Sequence, residues 1–165
     1  MEEKQVMGIL NVTPDSFYIG SRKQSEQEIA ERTNQIIAEG GTIIDVGAFS
    51  TRPGAAEVSE EEELRRMRYG LKIVRREQPD AVLSIDTFRP SVARMAVEEF
   101  GAAIINDVSE GGVTGVVDTP MENTGAEIPE IFREVARLKA TYILMSVQPT
   151  LELTVSHFLK KIKML

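Results

Sequence analysis

The amino-acid sequence predicts an α/β fold in which about five parallel strands alternate with helices. Short apolar segments rich in β-branched residues recur along the chain, as expected for strands buried in a sheet. Between them lie longer segments whose apolar residues recur at helical spacing. Strands that alternate with helices through short turns are typical of a parallel sheet covered by helices.

Composition and charge favour one cytoplasmic domain that binds neither nucleic acid nor a membrane. Of 165 residues, 42% are hydrophobic, which supports one core better than two small ones, so we expect a single domain over residues 1–165. The net charge of −7 argues against a nucleic-acid-binding face, which is basic. The absence of cysteine excludes disulfides and thiolate metal sites, and the sequence predicts neither a signal peptide nor a membrane span.

The first predicted strand, Gln5–Leu10, ends at a polar loop. Pro14 lacks an amide hydrogen and disfavours a helical Thr13, so regular structure should break just after Asn11. Asn11 is therefore expected at the carboxyl end of a strand, where parallel α/β folds bind ligands. The alternative is an ordinary turn, since Asn, Pro and Asp are common in turns.

The next helix–strand–helix segment follows from capping residues and apolar spacing. A helix is expected from the capping-box spacing of Ser25–Glu28 to the glycine pair Gly40–Gly41. The β-branched segment Thr42–Gly47 predicts the second strand, which leads into the loop Ala48–Gly54. Ser59 and the acidic residues after it predict the start of the second helix.

The remaining units repeat this plan. The third strand, Ala81–Ile85, is expected to end at Asp86–Thr87, and a helix should run from near Pro90 to Gly101. The later predicted elements are a fourth strand Ala102–Ile105 ending at Asn106–Asp107, an irregular connection Ser109–Ile128, a helix Pro129–Leu138, a fifth strand Thr141–Met145 and a final helix Thr150–Leu165. A connection as long as Ser109–Ile128 is usually functional or disordered.

Two parallel architectures fit this order of elements. About five units would complete a flavodoxin-like open sheet, which length and element order alone favour. A TIM barrel needs eight units and typically about 250 residues. The polar residues at the strand ends bear on this choice.

Polar side chains at four strand ends indicate a binding site at one rim of the sheet. Arg52, beside Thr51, offers a planar set of donors that matches phosphate, and Asn11 offers an amide group for a phosphate or Mg²⁺. Asp86 and Asn106 can read the donors and acceptors of a heterocycle. Each residue also has a structural alternative: an Arg52–Glu57 surface pair, a helix cap at Asp86 and a turn at Asn106.

Four motifs follow one another along the chain: Gly8–Phe17 (GILNVTPDSF), Ser50–Ala55 (STRPGA), Ser84–Thr87 (SIDT) and Ile105–Val108 (INDV). Together these motifs resemble dihydropteroate synthase. The first two are highly specific, and the resemblance spans residues 5–145. It implies a TIM (β/α)8-barrel, of which this chain holds about the first five βα units. It also implies condensation of 6-hydroxymethyl-7,8-dihydropterin diphosphate with p-aminobenzoate to give 7,8-dihydropteroate in folate biosynthesis.

The resemblance also implies roles for individual residues. Asn11 and Arg52 would bind the diphosphate, with Asn11 also meeting its Mg²⁺. Thr51, Asp86 and Asn106 would line the pterin pocket, while Phe17 and Pro53 would bound the p-aminobenzoate site, where sulfonamides compete. No protein nucleophile is implied, because catalysis is mainly electrostatic stabilisation of the departing diphosphate.

The sequence also departs from this family. Phe17–Gly20 replaces the usual Asp-Gly-Gly element, Phe49 stands where a Glu usually precedes the Ser-Thr-Arg motif, and Ser146–Pro149 lacks a common His-Met pattern. The only histidine, His157, is interpreted as structural. With about five of eight units, we expect the chain as written to be an incomplete, inactive fragment of an enzyme. The alternatives are a non-catalytic pterin-binding relative and a pterin-binding methyltransferase domain.

An incomplete barrel is expected to associate. The two sheet edges would offer unpaired backbone groups, and four apolar residues are expected on an inner face that lacks its opposing wall: Ile9, Ile44, Leu83 and Ile105. We therefore expect a homo-oligomer, whereas the flavodoxin-like alternative predicts a compact monomer.

Overall fold

A computed structural model describes residues 4–12, 22–49, 58–108 and 129–144. Strands and helices alternate throughout these ranges. The strands are β1 Met7–Asn11, β2 Ile43–Gly47, β3 Val82–Asp86, β4 Ile104–Asp107 and β5 Thr141–Leu144. The helices are α1 Arg22–Ala38, α2 Glu60–Glu77, α3 Pro90–Phe100 and α4 Glu130–Leu138.

The five strands form one parallel sheet in the order β1-β2-β3-β4-β5. Crossovers between parallel strands are almost always right-handed, so a sheet that always advances in one direction carries its helices on one face. The helices accordingly pack in sequence, α1 on α2, α2 on α3 and α3 on α4. A flavodoxin-like sheet reverses its strand order and has helices on both faces, so that alternative is wrong. The observed order is that of a barrel segment.

The two faces of the sheet differ in their cover. Residues at alternate positions of neighbouring strands, such as Ile44, Leu83 and Ile105, are fully buried in the core shared with the helices. Assigning these three to the inner face was wrong, because the register places them on the helix side. Ile9 does lie on the inner face and is 60% exposed.

Local signals located several element ends correctly. The Ser59 hydroxyl accepts a hydrogen bond from the Glu62 amide and caps α2. Gly101 ends α3 in the left-handed conformation, with φ of 64°, which glycine adopts without steric cost. Gly40, with φ of 92°, follows α1 in the same way.

Two predicted element starts were wrong. The first helix begins at Arg22 instead of at the capping box, so Ser25 lies inside α1 and is buried. The fourth strand begins at Ile104, because the Ala102 amide donates to the Ala96 carbonyl and extends the end of α3. The strand ends at Asp107, so Asn106 and Asp107 are its last two residues.

Two predicted segments, Ser109–Ile128 and the helix Thr150–Leu165, lie outside the described residues. In the described ranges, the helices are too short or too polar to cross a membrane.

Candidate functional site

A row of polar residues crosses the carboxyl edge of the sheet. The strand register aligns Asn11 with Gly47, Gly47 with Asp86, and Asp86 with Asn106. Aligned residues of neighbouring parallel strands point to the same face of a sheet. The fold therefore brings together three of the predicted site residues from three different strands, on the face opposite the helices.

Gly47 keeps a space open in the middle of this row. A methyl carbon on Gly47 would lie 3.3 Å from Asp86 Oδ2 and 3.4 Å from Asn11 Oδ1. The approach to Asp86 Oδ2 is tighter than ordinary van der Waals contact, and the approach to Asn11 Oδ1 is at its lower limit. A side chain at this position would press on the two oxygens that face the gap, whereas glycine leaves their polar atoms accessible.

Asp45 lies one layer deeper on the same face and was not predicted as a site residue. It aligns with Ser84 of β3 and is only 5% exposed. Its Oδ2 accepts a 3.0 Å hydrogen bond from the side-chain amide of Asn106. The available sequence signal was a single carboxylate within an otherwise apolar strand, two residues before Gly47.

Burial and, to a smaller extent, the nearby carboxylates of Asp45, Glu63 and Asp107 raise the pKa of Asp86 from 3.8 to about 7. Desolvation disfavours the ionised carboxyl, and negative neighbours act in the same direction. Asp86 therefore changes charge close to neutral pH. It can accept hydrogen bonds when ionised, and it can also donate one when protonated.

The structural alternatives for Asp86 and Asn106 do not hold. Helix α3 has Arg89 at its N-cap and no side-chain cap bond, and the Arg89 amide donates to the Thr87 hydroxyl. Asp86 therefore does not cap α3. Asn106 lies within β4, and its amide reaches across the sheet to Asp45 instead of satisfying a turn.

A buried ion pair supports the turn that follows Asp86. Glu63 is fully buried in the first turn of α2, where it accepts a 2.7 Å hydrogen bond from the Thr87 hydroxyl and pairs with Arg89. Burial raises the pKa of Glu63. Arg89 also donates to the carbonyl of Val58. This network joins the start of α2 to the turn between β3 and α3, and sequence reasoning missed it.

Two phenylalanines cover this ion pair. The rings of Phe49 and Phe88 meet edge to face at 5.7 Å between centroids, and the Arg89 guanidinium lies 5.9 Å and 5.3 Å from them, respectively. Such contacts are favourable for a cation. Phe49, which departs from the expected glutamate, thus packs against the residues that support the β3–α3 turn.

Asp107 points to the opposite face and has a structural role. It is buried and accepts a hydrogen bond from the Tyr142 hydroxyl of β5. Burial, together with this bond, raises the pKa of Tyr142. The interaction joins two adjacent strands on the helix side of the sheet and leaves Asp107 out of the polar row.

Four other predicted site residues lie outside the described residues: Phe17, Thr51, Arg52 and Pro53. Their assigned roles stay predictions. Val12 and Ala48 lie at or near the ends of the described ranges that precede these residues, and both side chains are buried.

The chain is similar to folate-synthesis proteins. It is 45% identical over 124 residues to the mitochondrial folate synthesis bifunctional protein of Arabidopsis thaliana, covering 74% of this chain and 22% of that protein. A solved dihydropteroate synthase of Xanthomonas albilineans with 4-aminobenzoic acid is 34% identical, with a TM-score of 0.69, over 95% of this chain and 53% of that one.

A second solved structure, the dihydropteroate synthase of Anaplasma phagocytophilum with bound 6-hydroxymethylpterin monophosphate, is 31% identical. Its TM-score is 0.67, over 86% of this chain and 48% of that one. The chain thus spans about half the length of the two solved synthases. Residues 7–161 match the model of the pterin-binding enzyme family. Together with the barrel order of the strands and the polar row at their carboxyl ends, this match shows that the chain belongs to the pterin-binding enzyme family.

Proposed function

We propose that the full-length protein is a dihydropteroate synthase, which joins 6-hydroxymethyl-7,8-dihydropterin diphosphate to p-aminobenzoate and forms 7,8-dihydropteroate. The observation that carries this proposal is the alignment of Asn11, Gly47, Asp86 and Asn106 at the carboxyl edge of the sheet. The carboxyl ends of barrel strands form the active site in this architecture. The similar solved synthases, with their bound aminobenzoic acid and pterin phosphate, support the same chemistry.

Asp86 and Asn106 would recognise the pterin ring, together with Thr51. Asp86 is mostly buried and changes charge near neutral pH, so it suits a ring edge that carries N–H donors. Asn106 offers an amide whose nitrogen is already bonded to Asp45, which leaves its carbonyl oxygen as an acceptor. A flat heterocycle with an amino group and ring N–H groups matches these acceptors.

Asn11 and Arg52 would bind the diphosphate, and Asn11 would also bind a Mg²⁺ ion carried by the substrate. Asn11 is exposed at the end of β1, with its Oδ1 near the open space at Gly47. The described residues contain no cluster of three carboxylates or histidines that would form a protein cage for a metal. One carbonyl oxygen plus phosphate oxygens and waters is a normal Mg²⁺ environment, so the residues present fit the ion.

Phe17 and Pro53 would bound the p-aminobenzoate site. A flat aromatic ring packs well against an aromatic side chain and the flat face of a proline ring. Sulfonamides that resemble p-aminobenzoate would compete at the same place, and a solved Yersinia pestis dihydropteroate synthase contains a sulfonamide drug.

In the proposed reaction, the bond between the pterin methylene carbon and the diphosphate oxygen breaks. The amine of p-aminobenzoate forms the new C–N bond and then releases a proton to solvent. The protein supplies no nucleophile. Asp86 and Asn106 orient the pterin, and Asn11 with Arg52 hold the diphosphate as negative charge grows on its leaving oxygen. Bound Mg²⁺ would neutralise part of that charge.

Replacing Arg52 by alanine should weaken binding of the pterin diphosphate far more than binding of p-aminobenzoate. Charge-assisted hydrogen bonds to phosphate are roughly twice as strong as neutral ones, so we expect a loss of about tenfold or more for the diphosphate. Calorimetry and product formation in the full-length protein would measure both effects. Arg65→Ala, on the exposed surface of α2, is the matched control.

Equal losses for both ligands would contradict the assignment of Arg52 to the diphosphate. Pterin binding by the unmodified protein without any dihydropteroate from p-aminobenzoate would favour the non-catalytic alternative. Methyl transfer from a reduced folate would instead identify a methyltransferase.

We also propose that residues 1–165, made alone, associate through exposed apolar residues of the inner face. Ile9 and Val82 on that face are 60% and 43% exposed, and exposed apolar surface favours association. Sedimentation at several protein concentrations should show a dimer or larger assembly. A compact monomer at all concentrations would refute this proposal.

A further inference from the structure

Asp45 is a buried carboxylate for which the proposed reaction has no role. It lies in the middle of β2 on the inner face, one layer below Gly47, and is 5% exposed. Its Oδ2 accepts the Asn106 amide at 3.0 Å. Its Oδ1 is buried and receives no hydrogen bond from the part of the chain that the structure describes.

The bond to Asp45 determines how Asn106 presents its amide. A carboxylate offers only acceptors, so the NH₂ group of Asn106 must face β2, and the carbonyl oxygen of Asn106 is left for another partner. A rotated amide would place its oxygen against a carboxylate oxygen. Because Asp45 is itself held in a buried strand between β1 and β3, it is a rigid support for this orientation.

Ser84 extends the polar layer beside Asp45. It is the register partner of Asp45 on β3, is fully buried, and has a hydroxyl that likewise lacks a hydrogen bond within the described ranges. Each unsatisfied buried polar group costs about 1–3 kcal/mol. Two such atoms at one level beneath the polar row are therefore better explained by a ligand or a bound water than by packing.

We propose that Asp45 is a positioning residue for ligand recognition: its hydrogen bond fixes the Asn106 amide so that the carbonyl oxygen accepts from the amino-bearing edge of the ring. This inference rests on the proposed function, since it concerns the pterin. It predicts that Asp45 controls discrimination between a ring with a 2-amino group and the same ring with a 2-oxo group, and that it acts through Asn106.

The test compares two ligands by calorimetry in the full-length protein: 6-hydroxymethylpterin and its 2,4-dioxo counterpart, 6-hydroxymethyllumazine. The unmodified protein should prefer the amino compound. Asp45→Ala should reduce that preference by roughly tenfold, the effect of one hydrogen bond in a buried site. Asp45→Asn keeps the shape of the side chain but no longer forces one orientation of the Asn106 amide. The preference of this variant for the amino compound should therefore fall between those of the unmodified protein and Asp45→Ala.

Two further variants separate positioning from structural damage. In an Asn106→Ala background, Asp45→Ala should cause no additional loss of preference, because its route of action is already absent. Glu134→Ala removes another buried carboxylate, which lies on α4 and pairs with Arg94 of α3 and Arg137 of α4. This variant should have lower stability and an unchanged preference.

Each remaining outcome counts against one proposal. An Asp45→Ala variant that binds both ligands more weakly by the same factor, or that keeps the original preference, overturns the positioning role. Absence of preference in the unmodified protein also overturns it. Failure of the unmodified protein to bind either ligand instead overturns the proposed function, and this inference with it.

Discussion

Asp86→Asn should make the folded chain more stable above neutral pH, by up to about 4 kcal/mol. The pKa of Asp86 is 3.8 in the unfolded reference and about 7 in the folded chain, a difference of roughly three pH units at about 1.4 kcal/mol each. The folded chain holds the proton of Asp86 more tightly than the unfolded chain does. The stability that this proton gives the unmodified protein is therefore complete below pH 3.8 and is lost as pH rises through about 7.

Asparagine carries no charge and removes this pH-dependent loss. Denaturant unfolding of both proteins at pH values from 5 to 8 should therefore show the variant's advantage increasing with pH. Asp80→Asn, at an exposed turn before β3, is the matched control and should show no comparable gain. A variant that melts at a much lower temperature than the unmodified protein would contradict the expected gain from removing this buried carboxyl.

The same variant should bind the pterin more weakly. An amide presents donors where the carboxylate accepted, so donors of the ring would meet donors of the protein. Higher stability together with weaker binding is the expected combination. Normal pterin affinity in a stable Asp86→Asn protein would remove Asp86 from the site.

Glu63→Ala should destabilise the chain by about 3–5 kcal/mol, since removing one partner of a buried ion pair leaves the other uncompensated. Glu63 is fully buried, and its loss would leave the Thr87 hydroxyl and the partly buried Arg89 without their carboxylate partner. Thermal or urea unfolding would measure the loss. The change should also loosen the turn that follows Asp86 and so weaken ligand binding.

The adjacent residue provides a close control for this effect. Glu62 lies in the same helical turn and pairs with Arg65 and Arg66, but its side chain is 30% exposed. Ion pairs near the surface contribute about 0–1 kcal/mol, so Glu62→Ala should cost much less. Equal losses for the two variants would show that burial of Glu63 adds nothing to its pair.

Much of the local structure could be predicted from the sequence because the signals act over a few residues. The Ser59 cap, the Gly101 stop and the type of each described element followed from chemistry within one helical turn or one strand. The capping-box spacing at Ser25 was misleading, since that side chain is buried inside α1. Packing against the core outweighed a weak local preference there.

The site was only partly predictable. Asn11, Asp86 and Asn106 were identified as polar strand ends and by their motifs, and the register brings them into one row. Asp45 was missed because its partner Asn106 is 61 residues away. The pairing of Glu63 with Arg89 was also missed because its partners are distant in sequence. They lie at the starts of two different helices, 26 residues apart.

The sequence by itself determined the alternation of strands and helices, the family motifs and the residues proposed to bind a pterin. The family resemblance favoured a barrel segment over an open doubly wound sheet, and the strand order confirms it. Only the tertiary structure decided which strand residues face the helices. The physical reason is that apolar spacing depends on neighbours along the chain, whereas strand order and register depend on contacts between distant segments. The sequence around a buried residue such as Ile44 would look the same whichever face of the sheet its side chain points to. Only the fold assigns that side chain to one face.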